Sequence, residues 1–370
     1  MSTNSPTERV VVNCVIPYGI YGGAEVYLKD LVKSSRRDGL FFNFLMFGDN
    51  RIRMFFEDDP FVSFRIFGNP EDMKKWIMNH QSDVFLFYNR KDIYDMVQEM
   101  KSNGLRSKVI EIYHSDFKWK GSMSTLEERI GIDTMIITYP ELGMNISGIF
   151  ERRVVPIPVD TERFHRTPFS LKNIKNPFGN EKKTIGIVAR LSKEKNIDYV
   201  LDTAKIMKDF NFIIVGDGPE SDRLLSRIKS EGLTNTKLLG HQDDTSSYYL
   251  MMDAFLMASD LEGTSISILE AMSSNVLVFS NLVGGISSIL EDNHTGIRIY
   301  GNPEEDSKII RTNINRANLT NNARSFVIKN HGVSECSNLF KNAIVGDIDS
   351  FKRNNERDLD GEVVIMGDFV

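Results

Sequence analysis

Short, nearly uninterrupted apolar runs alternate along this chain with longer stretches in which apolar residues return every three or four positions. The runs fit strands buried on both faces and the stretches fit helices that cover them, so the pattern predicts βαβ units and parallel sheets. In the first half the strand candidates are VVVNCVI from Val10, LFFNFLMF from Leu40, FVSFRIF from Phe61, DVFLFY from Asp83, KVIEIYH from Lys108 and DTMIITY from Asp133. A second series begins at Lys183 with KTIGIVA and continues through FNFIIVG, TKLLG, DAFLMA and NVLVFS. Among the helices, DYVLDTAKIMK after Asn196 puts Val200, Leu201, Ala204 and Met207 on one stripe.

Between the two series, from about Pro156 to Lys183, the rhythm breaks over four prolines and scattered polar residues, as in an interdomain connection. From Glu304 the pattern turns mainly helical, and FKRNNERDLDGEVVIMGDFV at the end reads as a tail that is either poorly ordered or docked. The predicted class is α/β, with two doubly wound domains at 1–165 and 166–345, a cleft between them, and a tail at 346–370 that docks back on the first domain if it is ordered.

A length of 370 residues exceeds one ordinary core, and 41% apolar with 26% charged residues fits a globular chain. No run approaches the ~20 apolar residues that cross a bilayer, and MSTNSPTERV lacks the apolar core of a signal peptide, so a cytoplasmic location is expected. Cys14 and Cys336 have no partner at disulfide-framework or zinc-ligand spacing. A net charge of -6 argues against nucleic acid as partner. Through residue 180 the chain holds 24 basic and 23 acidic residues, and beyond it 21 and 28, a mild asymmetry that permits, without showing, a first domain that approaches an anionic membrane surface. Lys74-Lys75-Trp76 and Lys118-Trp119-Lys120 are the candidates for such a peripheral contact or for a lipid-linked acceptor, with ordinary amphipathic packing as the alternative.

The most informative stretch is DAFLMASDLEGTSISILEAM. A strand runs into Glu262-Gly263-Thr264-Ser265 and then into a helix that carries Glu270, expected about two turns in. Gly263, Thr264 and Ser265 offer unpaired amides at a helix start, a natural phosphate seat. A carboxylate accepts hydrogen bonds from two neighbouring sugar hydroxyls, which suits Glu262 and Glu270, although a loop charge and a solvated helix residue would look the same. After KTIGIVA comes a basic loop with Arg190 and Lys195, a planar fork and a point charge for phosphate oxygens. A helix dipole supplies only ~0.3–1 kcal/mol to an anion, against roughly 1.5–3 kcal/mol for each charge-assisted hydrogen bond, so the two cations would dominate.

These motifs in this order resemble the retaining, GT-B-fold glycosyltransferases of family 4, the glycosyl transferases group 1. The shared pattern appears as Arg190-Leu191 to Lys195, as Gly216-Asp217-Gly218-Pro219, and as Glu262 to Glu270. Val159-Asp160-Thr161 with Phe164 resembles the family's interdomain segment, and Gly22-Gly23-Ala24-Glu25 its first-domain glycine loop. The match is dense from about 155 to 295 and thin before that. The resemblance implies two Rossmann-like domains and transfer of a hexose-type sugar, with retained configuration, from a UDP or GDP sugar to a glycan, lipid-linked or other hydroxyl acceptor. It implies that Arg190 and Lys195 hold the donor diphosphate, Glu262 meets the transferred sugar and Glu270 the ribose. Gly216 and Gly218 would pass close to the nucleoside, Gly240 and His241 would lie near the base, and Gly22 and Gly23 would bring amides to the phosphates. His114 either matches the family's histidine near the donor sugar or is satisfied by local backbone.

Ala189 and Asn196 replace glycines common around the basic loop, Ala258 replaces a proline, and Ser288 a frequent glutamate. No cofactor and no divalent metal is expected, and Asp347-Ile348-Asp349 and Asp358-Leu359-Asp360 read as surface charge. Two rivals are kept: a non-catalytic binder of sugar nucleotides, and a nicotinamide-dependent oxidoreductase. The latter lacks its fingerprint, since Gly216-x-Gly218 is followed by Ser221 where the third glycine belongs.

Overall fold

The computed structural model describes residues 9–16, 23–36, 39–48, 51–114, 129–166, 177–346 and 348. The first domain is a seven-stranded parallel sheet in the order β3-β2-β1-β4-β5-β6-β7. Its strands are β1 (Val10–Val15), β2 (Leu40–Met46), β3 (Val62–Ile66), β4 (Val84–Tyr88), β5 (Lys108–Tyr113), β6 (Thr134–Ile137) and β7 (Glu151–Val154). Helices α1 (Gly23–Ser35), α2 (Pro70–Asn79) and α3 (Lys91–Ser102) cover it. β4 and β5 are buried at every position, as central strands covered on both faces must be, whereas β3 and β7 at the two edges are mostly exposed. At α2, Asn69 accepts from the Asp72 amide and Pro70 needs no partner, which fixes the helix start. Trp76 on that helix packs between Phe67 and His80 with Arg65 over its ring, and Lys74 pairs with Glu71 and Glu99. Lys118-Trp119-Lys120 lies outside the described residues.

The second domain repeats the device with six parallel strands in the order β10-β9-β8-β11-β12-β13. They are β8 (Thr184–Val188), β9 (Asn211–Val215), β10 (Thr236–Leu238), β11 (Ala254–Met257), β12 (Leu277–Ser280) and β13 (Ile297–Arg298). Between them lie α4 (Ile197–Ile206), α5 (Ser221–Ser230), α6 (Ser246–Leu250) and α7 (Ile266–Ser273). Val200, Leu201, Ala204 and Met207 of the predicted stripe are all buried. Then follow α8 (Pro303–Asn313), α9 (Ala317–His331) and α10 (Val333–Val345).

α9 lies on α7, and after Gly332 the chain crosses back so that α10 packs along α1 of the first domain. Phe340 stacks on Phe42 at 6.4 Å, and Lys108 Nζ donates to Gly346 O (2.8 Å) and Ala343 O (3.3 Å) at the end of α10. A cation at a helix C-terminus satisfies carbonyls that the helix leaves open. One buried apolar cluster runs from β1 and β2 through Phe340 into the second sheet. The tail beyond 348 lies outside the described residues.

Candidate functional site

In both sheets the strand order reverses beside the first strand, between β1 and β4 and between β8 and β11, and ligand crevices open at the carboxyl ends of strands at such points. The two crevices adjoin. Thr138 Oγ1, after β6, is 3.3 Å from Thr264 Oγ1, after β11, and a Cβ on Gly285, after β12, would meet the Tyr139 ring at 2.6 Å. Gly23 opens α1, where a Cβ would lie 3.6 Å from Ile266 at the start of α7. Gly22 lies outside the described residues.

The loops after β8, β9 and β10 are stitched together by backbone. Ala189 N donates to Val215 O (3.0 Å), Leu191 N to Asp217 O (2.9 Å), Glu220 N to Leu191 O (3.0 Å), and Gly216 N to Gly240 O (2.9 Å). Gly216 has φ +134, and a Cβ there would sit 1.9 Å from Ala189 O; one on Gly218 would sit 2.4 Å from Leu191 O. The expected reason for these glycines was close approach to a nucleoside. The structure shows a further requirement, close approach to the loop that carries Arg190. Asn196 takes φ +48, a left-handed conformation that asparagine tolerates, which explains how it replaces a glycine.

Arg190 is exposed on this loop. Lys195 Nζ pairs with Glu262 Oε1, which also accepts from Ser259 Oγ (3.3 Å), and Asp260 N donates to Glu194 O (2.9 Å). The basic loop and the carboxylate loop are thus one unit across β8 and β11, and Glu262 is only 7% exposed. Beneath it, Gly284 at φ +53 is required, because a Cβ would fall 1.8 Å from Glu262 O. Ser288 Oγ donates to Gly285 O (2.7 Å), a local bond in place of the frequent glutamate's contact.

Gly263 is half-buried, Thr264 and Ser265 are buried, and α7 begins at Ile266 with Ser265 as its cap residue. Glu270 therefore stands about one turn into the helix rather than two, because the loop amides extend farther than the sequence pattern suggested. Its Oε2 accepts from Tyr249 OH (2.7 Å). Burial raises the Glu270 pKa to about 7, against the pull of the Tyr249 hydrogen bond and of Arg163. His241 is exposed and lies 3.2 Å from Asp243, whose other neighbour is Arg51 of the first domain at 3.7 Å.

His114 follows β5 with its ring edge-on to Tyr88 at 5.5 Å, and Tyr88 OH donates to Ala24 O beside the glycine loop (2.9 Å). Its Nδ1 is buried without a hydrogen-bond partner among the described residues, and burial lowers its pKa to about 4. The imidazole is neutral at pH 7, and the local backbone satisfaction allowed for it is not found at Nδ1. Sequence reasoning missed Tyr249, Thr138, Tyr139 and Arg163. Tyr249 read as part of an apolar pattern, whereas Arg163 stood in plain view inside the interdomain motif.

Two parallel α/β domains closing such loops on one another define the GT-B architecture. Uridine-diphosphate-bound HepE of Anabaena shares it at a TM-score of 0.78 and 18% identity, over 90% of this chain and 99% of that one. Sucrose-phosphate synthase of Thermosynechococcus elongatus does so at 0.77 and 14%, over 95% and 100%. Residues 170–326, which hold every second-domain motif, match the family model of glycosyl transferases group 1, the group that those motifs resemble. The chain is 31% identical over 175 residues to 2-deoxystreptamine glucosyltransferase of Streptomyces kanamyceticus and 26% identical over 166 residues to alpha-monoglucosyldiacylglycerol synthase of Acholeplasma laidlawii. These matches take in 44% and 42% of this chain, and 43% and 42% of those relatives.

Proposed function

We propose that the protein transfers a hexose-type sugar from a nucleotide-diphosphate sugar to an acceptor hydroxyl, with the anomeric configuration retained, in the assembly of a glycan, polysaccharide or glycolipid. The observation that carries this reading is the junction of Arg190, Lys195 and Glu262 at the switch point of the second sheet, with Glu270 behind it in the same loop-helix unit. Arg190 and Lys195 take the diphosphate, Glu262 the sugar and Glu270 the ribose. In the reaction the bond from the anomeric carbon to the phosphate oxygen breaks, the acceptor oxygen bonds to that carbon on the same face, and its proton passes to the departing phosphate oxygen. The protein contributes positioning and fixed charge. The buried Nδ1 of His114, neutral and without a hydrogen-bond partner among the described residues, supports a role for His114 in accepting from a sugar hydroxyl.

The names of the relatives, a glucosyltransferase and a glucosyldiacylglycerol synthase, support a nucleotide-glucose type of donor, and HepE's complexes with UDP and UDP-glucose support uridine as the base. No helix among the described residues is long and apolar enough to cross a membrane. A thermal-shift screen of UDP, GDP and ADP with their glucose and N-acetylglucosamine conjugates tests the reading. A ligand at 100 times its Kd stabilises by ~2.7 kcal/mol. A clear shift with one base family is expected, and no shift with any of them would contradict the proposal.

A further inference from the structure

The interdomain turn from Asp160 to Phe164 is built to hold one side chain in place. The Asp160 carboxylate accepts from the amides of Glu162 (3.2 Å) and Arg163 (3.0 Å), and Phe164 N donates to Asp160 O (3.0 Å). Phe164 is buried with its ring edge-on to Tyr249 at 5.7 Å, and its carbonyl accepts from Ser273 Oγ (2.8 Å) and Arg324 Nη1 (3.1 Å). Arg324 also donates to Thr161 O (3.2 Å). The turn is therefore clamped to α7 and α9. Between its two anchors stands Arg163, with its guanidinium 2.8 Å from Asp244 and 5.1 Å from the centre of the Phe164 ring.

Arg163 has no part in the function proposed so far. Yet the ring beneath it packs on Tyr249, whose hydroxyl donates to Glu270, so guanidinium and carboxylate belong to one packed group. The groups that act on Glu270 are Tyr249 of α6, Arg163 of the turn, and Asp30 and Lys29 of α1 in the first domain. Arg163, itself half-exposed, is held in place by its ion pair with Asp244 and by the Phe164 ring beneath it, and its charge favours the Glu270 anion.

We propose that Arg163 is a positioning residue for the nucleotide, which keeps the Glu270 carboxylate in the ionised, hydrogen-accepting form when the ribose arrives. The inference rests on the reading that Glu270 meets the ribose. A neutral carboxyl gives up one of its acceptor sites to its own proton and presents a donor there, so a pair of ribose hydroxyls is bound well only by the anion. Burial already disfavours that anion, and a fixed neighbouring cation opposes the effect.

The test is the pH dependence of nucleotide affinity, measured by calorimetry with whichever of UDP, GDP and ADP binds tightest. Wild type, Arg163→Met, Arg163→Lys and Glu270→Gln are compared; the ligand's own phosphate titration is common to all and cancels. Wild-type affinity should fall as pH drops below about 7. In Arg163→Met the fall should begin at higher pH, with a loss against wild type of up to roughly tenfold per unit of displacement on the acid side. The loss should fade at alkaline pH, and Arg163→Lys should restore most of the wild-type profile. A loss in Arg163→Met that is equal at every pH, or a profile superimposable on wild type while Glu270→Gln flattens it, would overturn the role of Arg163 alone. If Glu270→Gln binds as wild type with the same profile, the ribose reading fails and the inference with it.

Discussion

Glu262 and Glu270 belong to one loop-helix unit but live in different surroundings, and that difference divides their proposed work. Glu262 is tied to Lys195 across the switch point, while Glu270 is tied to Tyr249 deeper in the second domain. Glu270→Ala should weaken free nucleoside diphosphate and sugar nucleotide alike, since the ribose is common to both. Glu262→Ala should leave free nucleotide affinity within a few-fold and reduce turnover by about 10²-fold, as for loss of a group that acts mainly on the reacting sugar. Titration calorimetry beside initial rates reads both, and a large loss of free nucleotide binding in Glu262→Ala would show the two roles exchanged. The charged members of this site were legible in the sequence because charge at a strand end is conspicuous against apolar runs. Tyr249 was not, because a tyrosine inside an apolar stretch looks the same whether its hydroxyl faces solvent or a carboxylate.

At the scale of elements, the glycines of the second domain separate into those required by packing and those required by conformation alone. Gly216→Ala must relieve a contact at 1.9 Å with a carbonyl and adopt φ +134, whereas Gly240→Ala meets nothing within 4 Å and carries only the strain of φ +71. The expected costs are about 3 kcal/mol or more for Gly216→Ala and about 1–2 kcal/mol for Gly240→Ala, read as shifts in denaturation midpoint. Gly216→Ala should also weaken nucleotide binding, because the loop it would displace carries Arg190. Equal costs at the two positions would contradict the account. Central strands were readable because burial on both faces writes an unbroken apolar run, as in FLFY of β4 and FIIV of β9. β7 escaped notice because an edge strand exposes its side chains and reads ERRV, and β13 because two residues carry no period. The start of α7 shifted for a related reason: Gly263-Thr264-Ser265 fits a loop or a first turn equally well.

On the scale of the whole molecule, the two domains are held to one another by α10, which leaves the second and packs on α1 of the first. Its anchor is Phe340, fully buried and stacked on Phe42. Phe340→Ala should cost about 3–5 kcal/mol, detected as earlier unfolding of the first domain in denaturant, and no measurable change would refute the anchoring. The return of the chain was not legible because an amphipathic helix names the face it buries but not the partner that covers it. The same limit applies to the cleft, since Thr138 and Tyr139 carry no mark of meeting Thr264 and Gly285 across 126 and more residues. What the closed molecule is proposed to do rests on fixed cations, Arg190 and Lys195, receiving the charge of a leaving diphosphate without a divalent metal. The most direct measurement is nucleoside diphosphate release from UDP-glucose and related donors in excess EDTA, for wild type and Lys195→Ala side by side. Wild type should turn over in the presence of chelator, and Lys195→Ala should lose roughly 10²–10³-fold in kcat with a smaller change in KM, because the charge it meets grows as the bond breaks. Abolition of wild-type activity by EDTA with rescue by magnesium or manganese, or normal turnover by Lys195→Ala, would contradict it.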